Sequence, residues 1–213
     1  MSLPEHLTET SEASSAHDRL LEAAKILFAS RGYENTTTSA IAKLARTSES
    51  QLVKHFGGKE GLLESVFEQG WTRIMRNFSE LDRLPEPADK LRAIAEMIIT
   101  SLEHDRAMKY IFLFEGRRFR TSGEESFRLA PGYLKLIAVI DSVLEEMVSN
   151  GQLLREAPLE AIRSAMIGAV EGLLRDRALA ERVGFPASYT VENTKTVFRA
   201  ILSALMPDTP RKL

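Results

Sequence analysis

Residues 19–63, RLLEAAKILFASRGYENTTTSAIAKLARTSESQLVKHFGGKEGLL, constrain this chain more than any other stretch. The apolar spacing predicts a helix over 16–31 with Leu20, Ala24, Leu27 and Phe28 facing inward, ended by Gly32, which permits a left-handed turn. Thr37 offers a hydroxyl to cap a second helix over 38–45, with Ile41, Leu44 and Ala45 inward. Ser48 caps a third over 49–55, with Leu52 inward, and Phe56, Gly57 and Gly58 break it. Three short helices with tight turns, the third polar and basic on one side, are the layout of a helix-turn-helix reader of DNA.

Apolar residues recur at helical spacing along nearly all of the remainder, and no segment alternates as a strand does. Helices are predicted over 59–81, 87–103, 105–119, 131–150, 158–182 and 189–206. Pro85, Pro87, Gly151, Pro158, Gly184 and Pro186 stand at the boundaries, and one further turn is predicted over 124–129. The fold class is therefore all-α, with about nine helices in two parts. The expected division is an acidic arm over 1–15, a DNA-binding head over 16–60, a helical domain over 61–206 and a tail over 207–213.

Charge supports a local patch and no more. The chain carries a net charge of −2, so it is no bulk polycation. Residues 19–59 nevertheless hold seven basic side chains against three acidic ones. There are no cysteines, no signal-peptide pattern and no apolar run long enough to span a membrane, so a cytoplasmic protein is expected. There is no Gly-rich phosphate loop and no nucleophile elbow. His6, His17, His55 and His104 form no zinc-binding pattern. Neither enzyme activity nor a cofactor or metal is expected.

The order Ala23-Ala24, Leu27-Phe28, Gly32-Tyr33, Thr36-Thr37, Ile41-Ala42, Ala45, Ser48, Leu52, His55-Phe56 and Lys59-Glu60 resembles the DNA-binding domain of TetR-type transcriptional regulators. The resemblance covers about 45 residues of the 213. It implies a homodimer that binds double-stranded operator DNA and is released by a small-molecule effector held in the C-terminal domain. Two departures stand out. Arg46-Thr47 replaces the frequent Gly-Val between the second and third helices, and Val53 replaces a tyrosine that usually reaches the DNA backbone. These keep open a second reading, a helical small-molecule-binding or interaction protein that has lost DNA binding.

Candidate DNA-binding residues are Thr37, Thr38, Arg46, Ser48, Glu49, Ser50, Gln51, Lys54, His55 and Lys59. Gln pairs with adenine, Glu accepts from cytosine and Ser is permissive, so Glu49, Ser50 and Gln51 are assigned to bases. Lys54 and His55 are assigned to phosphates, which position without specifying. Lys59 opens a helix, where its charge opposes the helix dipole, and a phosphate partner would explain it.

Pocket candidates are Trp71, Met75, Phe78, Met97, His104, Phe112, Glu115, Tyr133, Met166 and Glu171, with Tyr110 and Phe114 as further aromatics. Arg117, Arg118 and Arg120 read as a solvated loop edge. The dimer interface is expected at Ala161, Ala165, Gly168 and Gly172, whose small side chains let helices approach closely, with Val197, Ile201 and Leu205. Ala169 joins the small face, and Phe198 and Leu202 widen the last stripe.

Overall fold

A computed structural model describes residues 15–115, 118–120, 127–153 and 158–206. The chain divides into two units, Met1–Val66 and Phe67–Leu213. The acidic arm before Ser15, the tail over 207–213 and Arg117 lie outside the described residues, as do the side chains of Arg118 and Arg120.

The first unit holds α1 (Ala16–Arg31), α2 (Thr38–Leu44) and α3 (Glu49–Phe56), with the opening turns of α4 (Lys59–Met75). Ser15 caps α1 by accepting from the Asp18 N–H at 3.1 Å. Thr37 caps α2 through the Ala40 N–H and Ser48 caps α3 through the Gln51 N–H. Each cap satisfies a donor that a helix start leaves open. Leu20, Ala24, Phe28, Ile41, Leu52 and Leu62 close the core at 3 % exposure or less. Leu44, expected inward, is 48 % exposed. At about 100° per residue, Ile41, Ala42 and Ala45 share one arc of α2, and Leu44 falls beside it.

The second unit contains the rest of α4 with α5 (Pro87–His104), α6 (Arg106–Phe114), α7 (Pro131–Ser149), α8 (Leu159–Val183) and α9 (Val191–Ala204). Helix α5 packs on α7 and α9, and α8 packs on α6, α7 and α9. Two strands of three residues, β1 (Arg118–Arg120) and β2 (Phe127–Leu129), pair antiparallel with Phe119 opposite Arg128.

Two predicted helix ends move, and part of one predicted turn is strand. The helix expected over 59–81 ends at Met75, and a 3₁₀ segment follows at Phe78–Arg83. Arg76 and Asn77 are exposed at the break, and Leu81 of the 3₁₀ segment is buried again at 5 % exposure. The helix expected over 105–119 ends at Phe114. The Arg175 side chain of α8 donates twice to the Leu113 carbonyl, at 3.1 and 3.3 Å, and satisfies a group that one more turn would have used. Within the turn expected over 124–129, Phe127–Leu129 is strand.

A buried ion cluster that the sequence did not announce joins α5, α6 and α8. Lys109 is 2 % exposed, and its Nζ lies 2.9 Å from Glu181 and 3.3 Å from Glu103. Arg177 approaches Glu103 from the same side at 3.5 Å. A buried ammonium persists when it is paired in this way.

Candidate nucleic-acid interface and effector cavity

Helix α3 turns one residue fully inward, Leu52 at 0 % exposure. At about 100° per residue, Ser50 and Lys54 lie opposite Leu52, flanked by Gln51 and Val53. Ser50, Val53 and Lys54 are exposed and Gln51 is half-buried. The outer face is therefore a hydroxyl, an amide, an ammonium and one branched apolar side chain. That set suits a major groove, where a thymine methyl takes an apolar contact. Val53, expected only as a missing contact, lies on the outer face at 55 % exposure.

Other predicted residues are engaged within the head. Glu49 accepts from the Thr38 hydroxyl at 2.5 Å, which ties the starts of α2 and α3 together. Ser48 is 2.7 Å from the Ser50 hydroxyl. His55 sits on a flank of α3, its ring 5.8 Å from that of His17, which stacks on Phe56 at 4.8 Å.

Lys59, expected at a phosphate, is placed differently. Its ammonium donates to the carbonyls of Tyr33 and Thr36, both at 3.0 Å, and lies 4.1 Å from the Tyr33 ring centroid. The unfavourable dipole position is balanced by two carbonyls and a ring face, with no phosphate required. Burial, then the charges of Glu60 and Glu34, hold the Tyr33 phenol above its usual range.

The turn between α2 and α3 closes at Arg46. Its φ is 52°, the one positive value among the described non-glycine residues. The Arg46 N–H donates to the Lys43 carbonyl and the Thr47 N–H to the Ala42 carbonyl, at 3.2 and 3.0 Å. This is the paired bonding of a Schellman ending, with arginine at the left-handed position that glycine usually takes. Arg46 thus closes this turn with some backbone strain.

In the second unit a narrow cavity opens among α4 to α9. Helix α5 contributes Leu91, Ile94, Ala95, Ile98 and Leu102, and α7 contributes Tyr133, Leu136 and Ile140. Trp71, Phe112, Leu113, Met166, Ile167, Val170, Glu171, Leu174 and Phe198 complete the lining. The space open to the centre of a water-sized sphere is about 60 Å³. Of the predicted pocket residues, Trp71, Phe112, Tyr133, Met166 and Glu171 are brought together here.

Met75, Phe78, Met97, His104 and Glu115 are not part of this lining. Met75 and Phe78 fall at and beyond the earlier end of α4. Met97 borders a separate surface groove with Arg73 and Glu96. His104 is exposed, 2.7 Å from the Thr100 carbonyl, and Glu115 caps the end of α6. The aliphatic stripe of α5 also lines the cavity. Its spacing was visible, but a stripe facing a cavity reads like one facing a core.

The small residues of α8 point away from their own chain. Ala161, Ala165 and Gly168 are exposed, and a Cβ built on Gly168 or Gly172 meets nothing within 4 Å. Val197 is 41 % exposed, and Ile201 and Leu205 are half-buried. Phe198 and Leu202, read as widening the interface stripe, instead fill the chain's own core at 5 % and 0 % exposure. They occupy the face of α9 adjacent to Val197, Ile201 and Leu205.

A three-helix head with a capped, polar outer helix, in a chain whose other unit is a helical bundle around an apolar cavity, has the architecture of a helix-turn-helix protein. The model of a family described as bacterial regulatory proteins, tetR family, matches residues 20–66. It is 30% identical over 109 residues to the HTH-type transcriptional repressor KstR2 of Mycolicibacterium smegmatis, across 51% of this chain and 53% of that one. It is 29% identical over 113 residues to the HTH-type transcriptional regulator UidR of Escherichia coli, across 50% and 55%. The match thus spans about half the length of these curated relatives. The crystal structure of the transcriptional regulator FadR from Bacillus subtilis in complex with stearoyl-CoA shares the fold, with a TM-score of 0.71 at 19% identity over 87% of this chain and 97% of that one. No helix among the described residues is long and apolar enough to cross a membrane.

Proposed function

We propose that this protein is a dimeric, cytoplasmic transcriptional repressor that leaves its operator when a small molecule enters the cavity of its C-terminal unit. The outer face of α3 carries this reading, because Ser50, Val53 and Lys54 are exposed on a helix anchored by a buried Leu52. Ser50, Gln51 and Val53 read bases, while Lys54, Arg46 and the capped helix starts at Thr37 and Ser48 meet phosphates. Thr38, Glu49, His55 and Lys59 hold those groups in place.

The relatives support the same direction: one is named a repressor, and a structure of the same fold contains stearoyl-CoA. The second copy packs on Ala161, Ala165, Gly168, Gly172, Val197, Ile201 and Leu205, and the two heads then read half-sites about 34–36 Å apart. Helix α4 links effector to head, since one continuous helix carries both Lys59 and Trp71. Selection from a random DNA library is the direct test. Enrichment of one two-fold symmetric sequence at moderate salt is expected. Binding without sequence preference would overturn the reading in favour of a carrier that has lost DNA recognition. Gly168→Leu should convert a sedimenting dimer to monomer, because the new side chain occupies the space reserved for the second copy.

A further inference from the structure

Trp71 is 5 % exposed, and its indole Nε1 is buried with no hydrogen-bond acceptor. Among the described residues four other buried side-chain atoms lack a partner, on Glu103, Asp141, Gln152 and Arg177. Each of those groups is bonded through another of its polar atoms. An indole has a single donor, so Trp71 is wholly unsatisfied. Native structures pair such groups, and an exception calls for an explanation.

The ring has little freedom to find an acceptor elsewhere. A Cβ on Gly132 would fall 2.3 Å from the Trp71 Cβ and 2.8 Å from its Cδ1, so the side chain lies against bare backbone. Phe112 and Tyr133 hold it from other sides, with ring centroids at 4.7 and 5.9 Å. The cavity that Trp71 lines is almost wholly apolar, and such cavities stay dry. Its one formally charged lining residue is Glu171, with no Lys, Arg or His among them. A carboxylate ligand would gain no cation from this lining. A hydrocarbon would leave the indole unpaired.

Resting on the effector-cavity reading above, we infer that the ligand is an elongated, uncharged apolar molecule with one carbonyl-type acceptor, an ester, thioester or ketone, which receives the Trp71 N–H. The cavity is narrow, and its α5 wall from Leu91 to Leu102 runs about 16 Å at 1.5 Å per residue. A slender chain fits this shape.

Because the chain has one tryptophan, its indole N–H gives a single peak in a ¹H–¹⁵N spectrum. The full-length protein is titrated with methyl octanoate, octanoate, octylammonium and n-octane. Methyl octanoate should move the indole peak downfield and bind about tenfold tighter than octane, the worth of one neutral hydrogen bond to an otherwise unpaired donor. In Trp71→Phe that ratio should fall to about one. The wild-type peak decides the matter by itself if the variant folds poorly. Equal affinity for ester and octane, an unmoved indole peak, or tighter binding of octanoate or octylammonium overturns the inference and leaves the cavity reading standing. Failure of all four probes to bind overturns both.

Discussion

Gly132, the second residue of α7, holds Trp71 by having no side chain: a Cβ there would lie 2.3 Å from the Trp71 Cβ and 2.4 Å from its Cγ. The Gly132 N–H is one of the open donors of a helix start, and the Glu68 carboxylate accepts it at 3.1 Å. Three features therefore meet at one turn of α7: a close approach, a satisfied helix end and a fixed indole.

Gly132→Ala tests this contact. The added methyl has no room, and overpacking of this kind costs about 1–3 kcal/mol. The midpoint of urea unfolding should fall, and the emission of the single tryptophan should shift in the folded state. An unchanged midpoint with unchanged emission would show that α7 can move away freely.

Arg46→Gly should stabilise the protein by about 1 kcal/mol, because glycine adopts φ near 52° without the Cβ penalty. The same substitution removes a guanidinium from the proposed phosphate contacts, so affinity for all DNA sequences should fall together. Denaturant melts and salt-dependent DNA titrations read the two effects separately.

Lys54 and Lys59 should behave differently despite equal charge. Lys54→Ala should reduce the salt dependence of DNA binding by about one ion and leave stability unchanged. Lys59→Met should cost about 1–2 kcal/mol of stability, through two lost hydrogen bonds and a ring contact, and leave the salt slope unchanged. The opposite pattern would return Lys59 to the DNA surface.

Gln51→Ala and Val53→Ala should alter base preference, by about 1–3 kcal/mol at a contacted base pair. Repeating the DNA selection with each variant checks this. An identical selected sequence for both variants would move base recognition off this face of α3.

Lys109→Met should be among the most damaging substitutions in the second unit. It leaves Glu103 and Glu181 without the ammonium between them, and breaking a buried pair from one side costs about 3–5 kcal/mol. Replacing Lys109, Glu103 and Glu181 together by apolar residues should recover much of that loss.

The head was legible in the sequence because its determinants are local. Thr37 and Ser48 bond to N–H groups three residues on, Gly57 takes a left-handed φ at the end of α3, and Leu52 follows from helical spacing, so the linear order contains the geometry. The long helices of the second unit were legible for the same reason, whereas residue type separated Trp71, Phe112, Tyr133, Met166 and Glu171, which line the cavity, from Met75, Phe78, Met97, His104 and Glu115, which do not, no better than chance. What the tertiary structure decided lies between residues far apart in the chain. Lys59 turns to carbonyls 23 and 26 positions earlier, Arg175 caps a helix 62 positions before it, and Phe198 and Leu202 face inward because α5 and α8 cover that side of α9. Periodicity says that a helix has an apolar face. Which neighbour covers that face, and whether a donor such as the Trp71 N–H finds an acceptor, depends on packing that no local pattern encodes.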